Sequence, residues 1–265
     1  MNNIITNFLN SSGQVKQLPS KKAVRNEILI YLSEFIQDDT IYSEREINEI
    51  LNSKHTFGDP ALLRRDMFDN FIINRTSDCR LYWKNLSWMF LPKYENDLFI
   101  LRESNLSDEE ILRNFLEKKT VNIGKWSGYK SDYDQTTELL NHLQLPEKGY
   151  KEFDRVDLIF EKTSDELIGV LQYYQGHPDK NTLWLGYLCI SKDFQRKKYG
   201  TNLVTWISDE AKSRDYKKIM INVDVKNWPA LKFWFKNGFN KITKVFGDDV
   251  LADDKFLNMH LERDL

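Results

Sequence analysis

Leu183-Trp184-Leu185-Gly186-Tyr187-Leu188-Cys189-Ile190 is an apolar run that reads as a strand. It leads into a basic turn, Ser191-Lys192-Asp193-Phe194-Gln195-Arg196-Lys197-Lys198-Tyr199-Gly200, and a helix is expected to begin near Thr201. Beyond Gly200 the apolar residues Leu203, Val204, Ile207 and Ala211 recur at helical spacing, while Asp209, Glu210, Lys212 and Arg214 are polar. Lys218-Ile219-Met220-Ile221-Asn222-Val223-Asp224-Val225 then reads as a mostly buried strand. Strand, turn, helix, strand is a crossover unit, whose ligand belongs at the carboxyl ends of the strands. The first N–H groups of a helix have no partner inside it and lie at the positive end of its dipole, so a phosphate suits the turn. Arg196, Lys197 and Lys198 add full charges there; the competing reading is a solvated charge run before a surface helix.

Residues 195–200 resemble the Gln/Arg-X-X-Gly-X-Gly/Ala pyrophosphate loop of the GNAT N-acetyltransferases. A second segment, Asn227-Trp228-Pro229-Ala230-Leu231-Lys232-Phe233-Trp234-Phe235-Lys236-Asn237-Gly238-Phe239, is similar to that family's Asn-X-X-Ala-X-X-Phe-Tyr-X-X-X-Gly-Phe element, in matching order and separation. The resemblance covers about residues 97–265. It implies an α/β (α+β) fold, the GNAT mixed sheet with flanking helices, and an amine that attacks the thioester of acetyl-CoA, the cosubstrate, directly. Carried onto this sequence, it implies cofactor binding at Leu188, Cys189, Ile190, Gln195, Arg196, Lys197, Lys198, Tyr199, Gly200, Thr201, Asn227 and Trp234. The family's oxyanion donor is commonly a backbone N–H of the fourth strand, here Ile190 or its neighbour Cys189.

The chain departs from the family pattern at two places. Trp234 stands where the family has its acidic Tyr, and an indole N–H does not give up a proton near neutrality; Trp234 either walls the thioester pocket or is a core aromatic. Lys198 replaces the loop's first glycine, which is costly if the backbone takes positive φ, although its charge could meet a phosphate. No carboxylate occupies the fourth strand. Tyr187 fills one such position; with an ordinary pKa of about 10 it is a candidate to donate or relay a proton, or else a plain strand aromatic. His177 is expected to be a solvent-exposed turn residue, and Cys189 a small buried hydrophobe rather than a nucleophile. The resemblance places Asp248, Asp249, Asp253 and Asp254, and Asp132 and Asp134, in regions that overhang the acceptor, where they would draw cationic amines if they are not simply solvated. These departures leave room for a scaffold that keeps the fold without its chemistry.

At 265 residues two domains are expected, 1–95 and 96–265, with the boundary near Leu91-Pro92-Lys93-Tyr94-Glu95-Asn96. A net charge of −2 gives no general attraction to nucleic acid or membrane. Cys79 and Cys189 match no metal or disulfide spacing, no run is long enough for a membrane span, and the start lacks a secretory basic region. A cytoplasmic protein without a metal is expected, with a homodimer left open.

In the first domain Val24, Ile28, Tyr31, Leu32 and Phe35 mark a helix; Ser43-Glu44-Arg45-Glu46 is a capping box with Tyr42 and Ile47 as a hydrophobic staple; and Asp59-Pro60 opens a third helix through Leu62, Leu63, Met67 and Phe68. Residues 71–75 and 80–83 read as a hairpin. Three helices and a hairpin give a winged-helix-like α+β order. Leu18-Pro19-Ser20-Lys21-Lys22, residues 42–48 and Leu63-Arg64-Arg65-Asp66 also resemble a small bacterial domain of unknown function. Arg64, Arg65, Arg75 and Arg80 invite a nucleic-acid reading, making the protein an acyl-CoA-responsive regulator. Against it, residues 1–95 hold 12 Lys/Arg and 12 Asp/Glu, and duplex affinity draws heavily on phosphate neutralisation. A protein-contact or substrate-shaping module is preferred, with Arg64 and Arg65 pairing with Asp66 and Asp69.

In the second domain residues 98–101 read as a strand, Ser107-Asp108-Glu109-Glu110 as the cap of a helix through Ile111, Phe115 and Leu116, and Leu139, Leu140, Leu143 and Leu145 as a further helix. Residues 156–160 and 167–173 read as paired strands.

Overall fold

A computed structural model describes residues 5–38, 40–85, 91, 93–119, 134–252 and 255–265. Contacts divide the chain into two compact units, Met1–Trp88 and Met89–Leu265.

The first unit runs α1 (Lys22–Ser33), β1 (Ile41–Ser43), α2 (Glu44–Asn52), α3 (Pro60–Asp69), β2 (Asn74–Arg75) and β3 (Leu81–Trp83), with an antiparallel sheet ordered β1-β3-β2. The expected caps form. The Ser43 hydroxyl accepts from the Glu46 N–H at 3.3 Å, the Glu46 carboxylate accepts from the Ser43 N–H at 2.7 Å, and Tyr42 and Ile47 are buried beside them. Asp59 accepts from the Leu62 N–H at 2.9 Å ahead of Pro60. Ile28, Leu32, Ile47, Leu51, Leu63, Met67 and Tyr82 form the core. Two local readings change. Phe71 has φ 57° and is 92% exposed, so the hairpin begins only at Asn74. Arg64 is buried; it bonds the Tyr82 hydroxyl, lies over the Tyr82 ring and pairs with Glu44 at 2.7 Å, while Asp66 pairs with Arg25. Neither Arg64 nor Asp66 belongs to the surface pairing expected of them.

The second unit runs β4 (Tyr94–Glu95), β5 (Phe99–Glu103), α4 (Glu109–Lys119), α5 (Gln135–Leu140), β6 (Asp154–Glu161), β7 (Leu167–Gln175), β8 (Thr182–Ile190), α6 (Tyr199–Ser213), β9 (Lys218–Asp224), α7 (Trp228–Lys236), β10 (Lys241–Gly247) and β11 (Leu257–Asp264). Its mixed sheet is ordered β10-β11-β9-β8-β7-β6-β5-β4; β8 and β9 run parallel, as a crossover through α6 requires, and the other neighbours run antiparallel. On one face Leu183, Leu185, Ile219 and Ile221 pack with Leu203, Val204, Ile207, Leu231 and Trp234 of α6 and α7. On the other, Val156, Leu158 and Val170 pack with Leu112, Phe115, Leu139 and Leu140 of α4 and α5. The cap before α4 lies two residues earlier than expected, with Asn105 and Asp108 forming the reciprocal pair. Helix α5 stops at Leu140 because His142 turns to φ 54°, leaving Leu143 exposed.

Candidate active site

Strand β8 pairs with β7 along almost its whole length, from Gln175↔Leu183 to Gly169↔Ile190. Its pairing with β9 ends at Leu185↔Ile221, although β9 continues to Asp224 against β11. The cause is local. Gln172 faces Tyr187 and Tyr173 faces Leu185, so Gly186 is an extra, unpaired residue, and such a bulge bends the strand that carries it. It also changes which residues share a face: Leu183 and Leu185 before it and Leu188 and Ile190 after it all pack on the α6/α7 side, whereas Tyr187 packs against the α4/α5 cluster. Beyond the bulge, residues 186–190 form an open edge.

The direction of the backbone groups on that edge follows from antiparallel alternation. The Ser191 N–H donates to the Ile168 carbonyl at 2.8 Å, and a Cβ placed on Gly169 would lie 2.7 Å from the Cys189 carbonyl oxygen, so Cys189 turns its backbone groups toward β7. Leu188 and Ile190 therefore turn theirs into the gap left by β9. The Ile190 carbonyl is taken there by the Gln195 side-chain N–H at 2.9 Å, which ties the basic turn to the strand end.

The turn places two non-glycine residues in the left-handed region, Arg196 at φ 61° and Lys198 at φ 70°. Each costs about 1 kcal/mol or more relative to a right-handed or extended conformation. Lys198 is the N-cap of α6 and makes no side-chain capping bond, whereas Ser43, Asp59, Asp134 and Asn227 cap α2, α3, α5 and α7. The opening N–H groups of α6 thus lack a capping side chain. Arg196, Lys197 and Lys198 are exposed; among the described residues none makes an ion pair, and Lys197 lies 4.9 Å from the Phe194 ring. Tyr199 is buried against Phe99 and Phe194. Gly200 permits a close approach: a Cβ there would lie 3.2 Å from the Phe233 ring of α7. Thr201 is exposed at the start of α6.

The remaining sequence candidates divide. Asn227 accepts from the Ala230 N–H at 3.2 Å and is the cap of α7. Trp234 is buried, edge-on to Phe233 and Phe239 with centroids 5.0 and 4.9 Å away, which is the packing of a core aromatic. Burial pushes the Cys189 thiol up to about 11, even though the Tyr187 hydroxyl bonds to it, so no thiolate is available near neutrality. His177 is not the solvent-exposed residue expected. It is half-buried, 5.2 Å from the Trp184 ring, and desolvation holds its pKa below the ordinary value. Asp134 caps α5 and pairs with Arg113, whose N–H bonds hold its carboxyl below the usual range; Asp248 accepts from the Phe256 N–H at 2.8 Å. Asp132, Asp253 and Asp254 lie outside the described residues.

One constellation went unnoticed in the sequence. The His142 Nδ1 lies 2.8 Å from Asp154 Oδ2, and the Gln172 Nε2 donates to both Asp154 oxygens at 3.2 and 3.1 Å. Asp154 and Gln172 are buried, at 5% and 2% exposure. The available signal was a glutamine in the middle of a strand whose nine residues are all buried.

The match to known proteins follows these units. Residues 126–239 match the acetyltransferase (GNAT) family, and residues 14–84 match an uncharacterized protein family conserved in bacteria (DUF2087). No curated protein matches the chain. Among solved structures, a ribosomal-protein-S5-alanine acetyltransferase from Vibrio fischeri is 13% identical, with a TM-score of 0.50 over 66% of this chain and 97% of its own. A putative ribosomal-protein-serine acetyltransferase from Vibrio cholerae is 16% identical, with a TM-score of 0.50 over 66% of this chain and 98% of its own. The second unit therefore has a GNAT acetyltransferase fold, a mixed sheet with flanking helices, and the first is a separate α+β unit.

Proposed function

We propose that the second unit is an acetyl-CoA-dependent N-acetyltransferase that moves an acetyl group to a primary amine by direct attack on the thioester. The observation that carries this reading is the meeting, at the end of β8, of an open strand edge with an uncapped helix N-terminus ringed by three cations. These residues fit the cosubstrate by their chemistry. The opening N–H groups of α6, with Arg196, Lys197 and Lys198, suit a pyrophosphate. The edge N–H groups of Leu188 and Ile190 suit an extended amide-bearing arm and a developing oxyanion. Gln195 and Tyr199 hold the turn in place rather than touching the ligand.

Acetyl-CoA supplies an acyl group already activated as a thioester. The chain's part is to fix that group beside an edge N–H, admit an amine and manage protons. Tyr187 is the side chain we assign to proton delivery; the protonated Cys189 thiol argues against an acyl-cysteine route. Trp234, in the hydrophobic core, fills the family's acid position without its role.

Calorimetric titration with acetyl-CoA tests the assignment. Replacing Arg196 and Lys198 together by Ala should weaken binding about 10-fold or more, since charge-assisted hydrogen bonds to phosphate are lost from exposed positions that the fold does not need. Unchanged affinity in the doubly substituted protein would refute it.

For the first unit we propose contact with protein or acceptor rather than with nucleic acid. The supporting observation is Arg64, turned into the core by Glu44 and Tyr82.

A further inference from the structure

We infer that Gln172 Oε1 is the group that receives and orients the acceptor's amine, with Asp154 and His142 as the positioning residues behind it. This rests on the N-acetyltransferase reading and adds the acceptor side to it. The orientation of the Gln172 amide is set by its surroundings: its Nε2 faces a carboxylate, which only accepts, at 3.2 and 3.1 Å, so its carbonyl oxygen must point the other way. That other way is the bulge. A Cβ on Gly186 would lie 3.2 Å from Gln172 Oε1, and Gly186 itself is exposed. Among the described residues no donor reaches Gln172 Oε1. Gln172, a residue 2% exposed, thus directs an acceptor oxygen with no partner among the described residues at the place where β8 leaves β9.

The location suits an amine about to attack. From Gly186 to Leu188 is two residues of strand, roughly 6–7 Å. That is about one N–H···O contact plus one near-attack distance. An amine nitrogen bonded to Gln172 Oε1 would therefore stand beside an acyl carbon whose oxygen is held by an edge N–H. The chemistry selects a donor, and the Asp154 carboxylate behind the amide favours a cationic one, so the fitting class is a small primary amine that arrives protonated, gives up one proton to solvent before it attacks, and loses a second as the amide forms while the departing CoA thiolate gains one. Asp154 in turn is fixed by His142, itself held at φ 54° directly after α5. Gly186 is part of the device, because any larger residue would crowd the oxygen.

The test measures acceptor and acetyl-CoA binding separately, with a panel of spermidine, an aminoglycoside and a short peptide amine. CoA release gives KM and kcat, and calorimetry in the presence of CoA gives amine affinity. In the wild type at least one amine should bind and be acetylated. Gln172→Met, close in shape and lacking the oxygen, should raise KM and Kd for that amine about 10-fold or more while acetyl-CoA affinity stays within about twofold. Gly186→Ala, which leaves Gln172 in place but occludes its oxygen, should do the same and guards against a folding failure of the first variant. His142→Gln should raise the amine KM less than Gln172→Met and leave acetyl-CoA affinity alone; a purely structural role would move only the melting temperature. Unchanged amine KM and Kd in both Gln172→Met and Gly186→Ala would overturn the inference while leaving the transferase reading intact. Amine binding that depends on Gln172 without acetylation of any amine would overturn the transferase reading and leave the subsite. No amine binding to the wild type would overturn both.

Discussion

Lys198 holds φ 70° as the N-cap of the helix whose open end faces the proposed pyrophosphate. A lysine gains nothing from that conformation in folding, and under the proposed function its contribution is the charge it places before α6. Lys198→Gly should stabilise the protein by about 1 kcal/mol, roughly 2–4 °C in a unit of this size, and weaken acetyl-CoA binding. Thermal melting and calorimetry on the same sample check both halves; a variant that binds as tightly as the wild type would leave the lysine without a role. Cys189 is predicted the other way. Because burial keeps its thiol near 11, Cys189→Ala should retain most turnover, and iodoacetamide should label the position slowly at pH 8. A stalled acyl-protein in the wild type that the Ala variant lacks would contradict this. At Trp234 the core packing makes shape matter more than chemistry. Trp234→Phe should keep most of the turnover, whereas Trp234→Ala should cost about 3–5 kcal/mol of stability.

Strand β8, helix α6 and helix α7 were legible in the sequence because their signals are local: apolar alternation, a basic turn, a 3.6-residue stripe and an Asn-X-Pro start. The bulge at Gly186 was not legible, since an extra residue in a strand is defined only by its partner, and that partner lies 14 residues earlier at Gln172. The same limit hid the residues of the proposed acceptor side. His142, Asp154 and Gln172 come from a helix end and two strands, with separations that match no motif, and only the sheet brings them into line. Strand β6 supplies a test of electrostatics at this scale. Asp157 is 1% exposed, and burial lifts its pKa to about 6 although Arg155 lies 2.8 Å away and pulls it down. A carboxyl raised in the folded state favours its protonated form, so Asp157 is least costly below its unfolded value near 4 and destabilises increasingly as pH climbs through 6. Denaturant melts of Asp157→Asn against the wild type should show the variant gaining ground between pH 4 and pH 7, by at most about 3 kcal/mol. A difference independent of pH would mean that Arg155 neutralises the burial cost.

At the scale of the whole molecule, the second unit has a family's fold and the first unit has a family's sequence pattern without an activity attached to it. The helix order of that first unit would make α3 the natural element for a DNA groove, and four arginines in and after it made the reading tempting. The structure redistributes them. Arg64 is spent inside on Glu44 and Tyr82, Arg75 lies over the Phe68 ring, and Arg80 is 3.4 Å from Asp78, leaving Arg65 exposed on α3 near the exposed Asp69. Affinity for duplex DNA rises with each phosphate neutralised and falls steeply with salt, and a helix that presents Arg65 as its one exposed arginine neutralises few. The 265-residue chain should therefore show no mobility shift of duplex DNA at about 150 mM salt, and any shift at low salt should vanish as salt is raised. Arg65→Ala should make no difference to acetyl-CoA binding or to turnover. Tight, salt-sensitive duplex binding at moderate salt that collapses on Arg65→Ala or Arg80→Ala would reverse this conclusion, and would make acyl-CoA at the β8 edge a signal to a nucleic-acid-binding unit rather than a substrate.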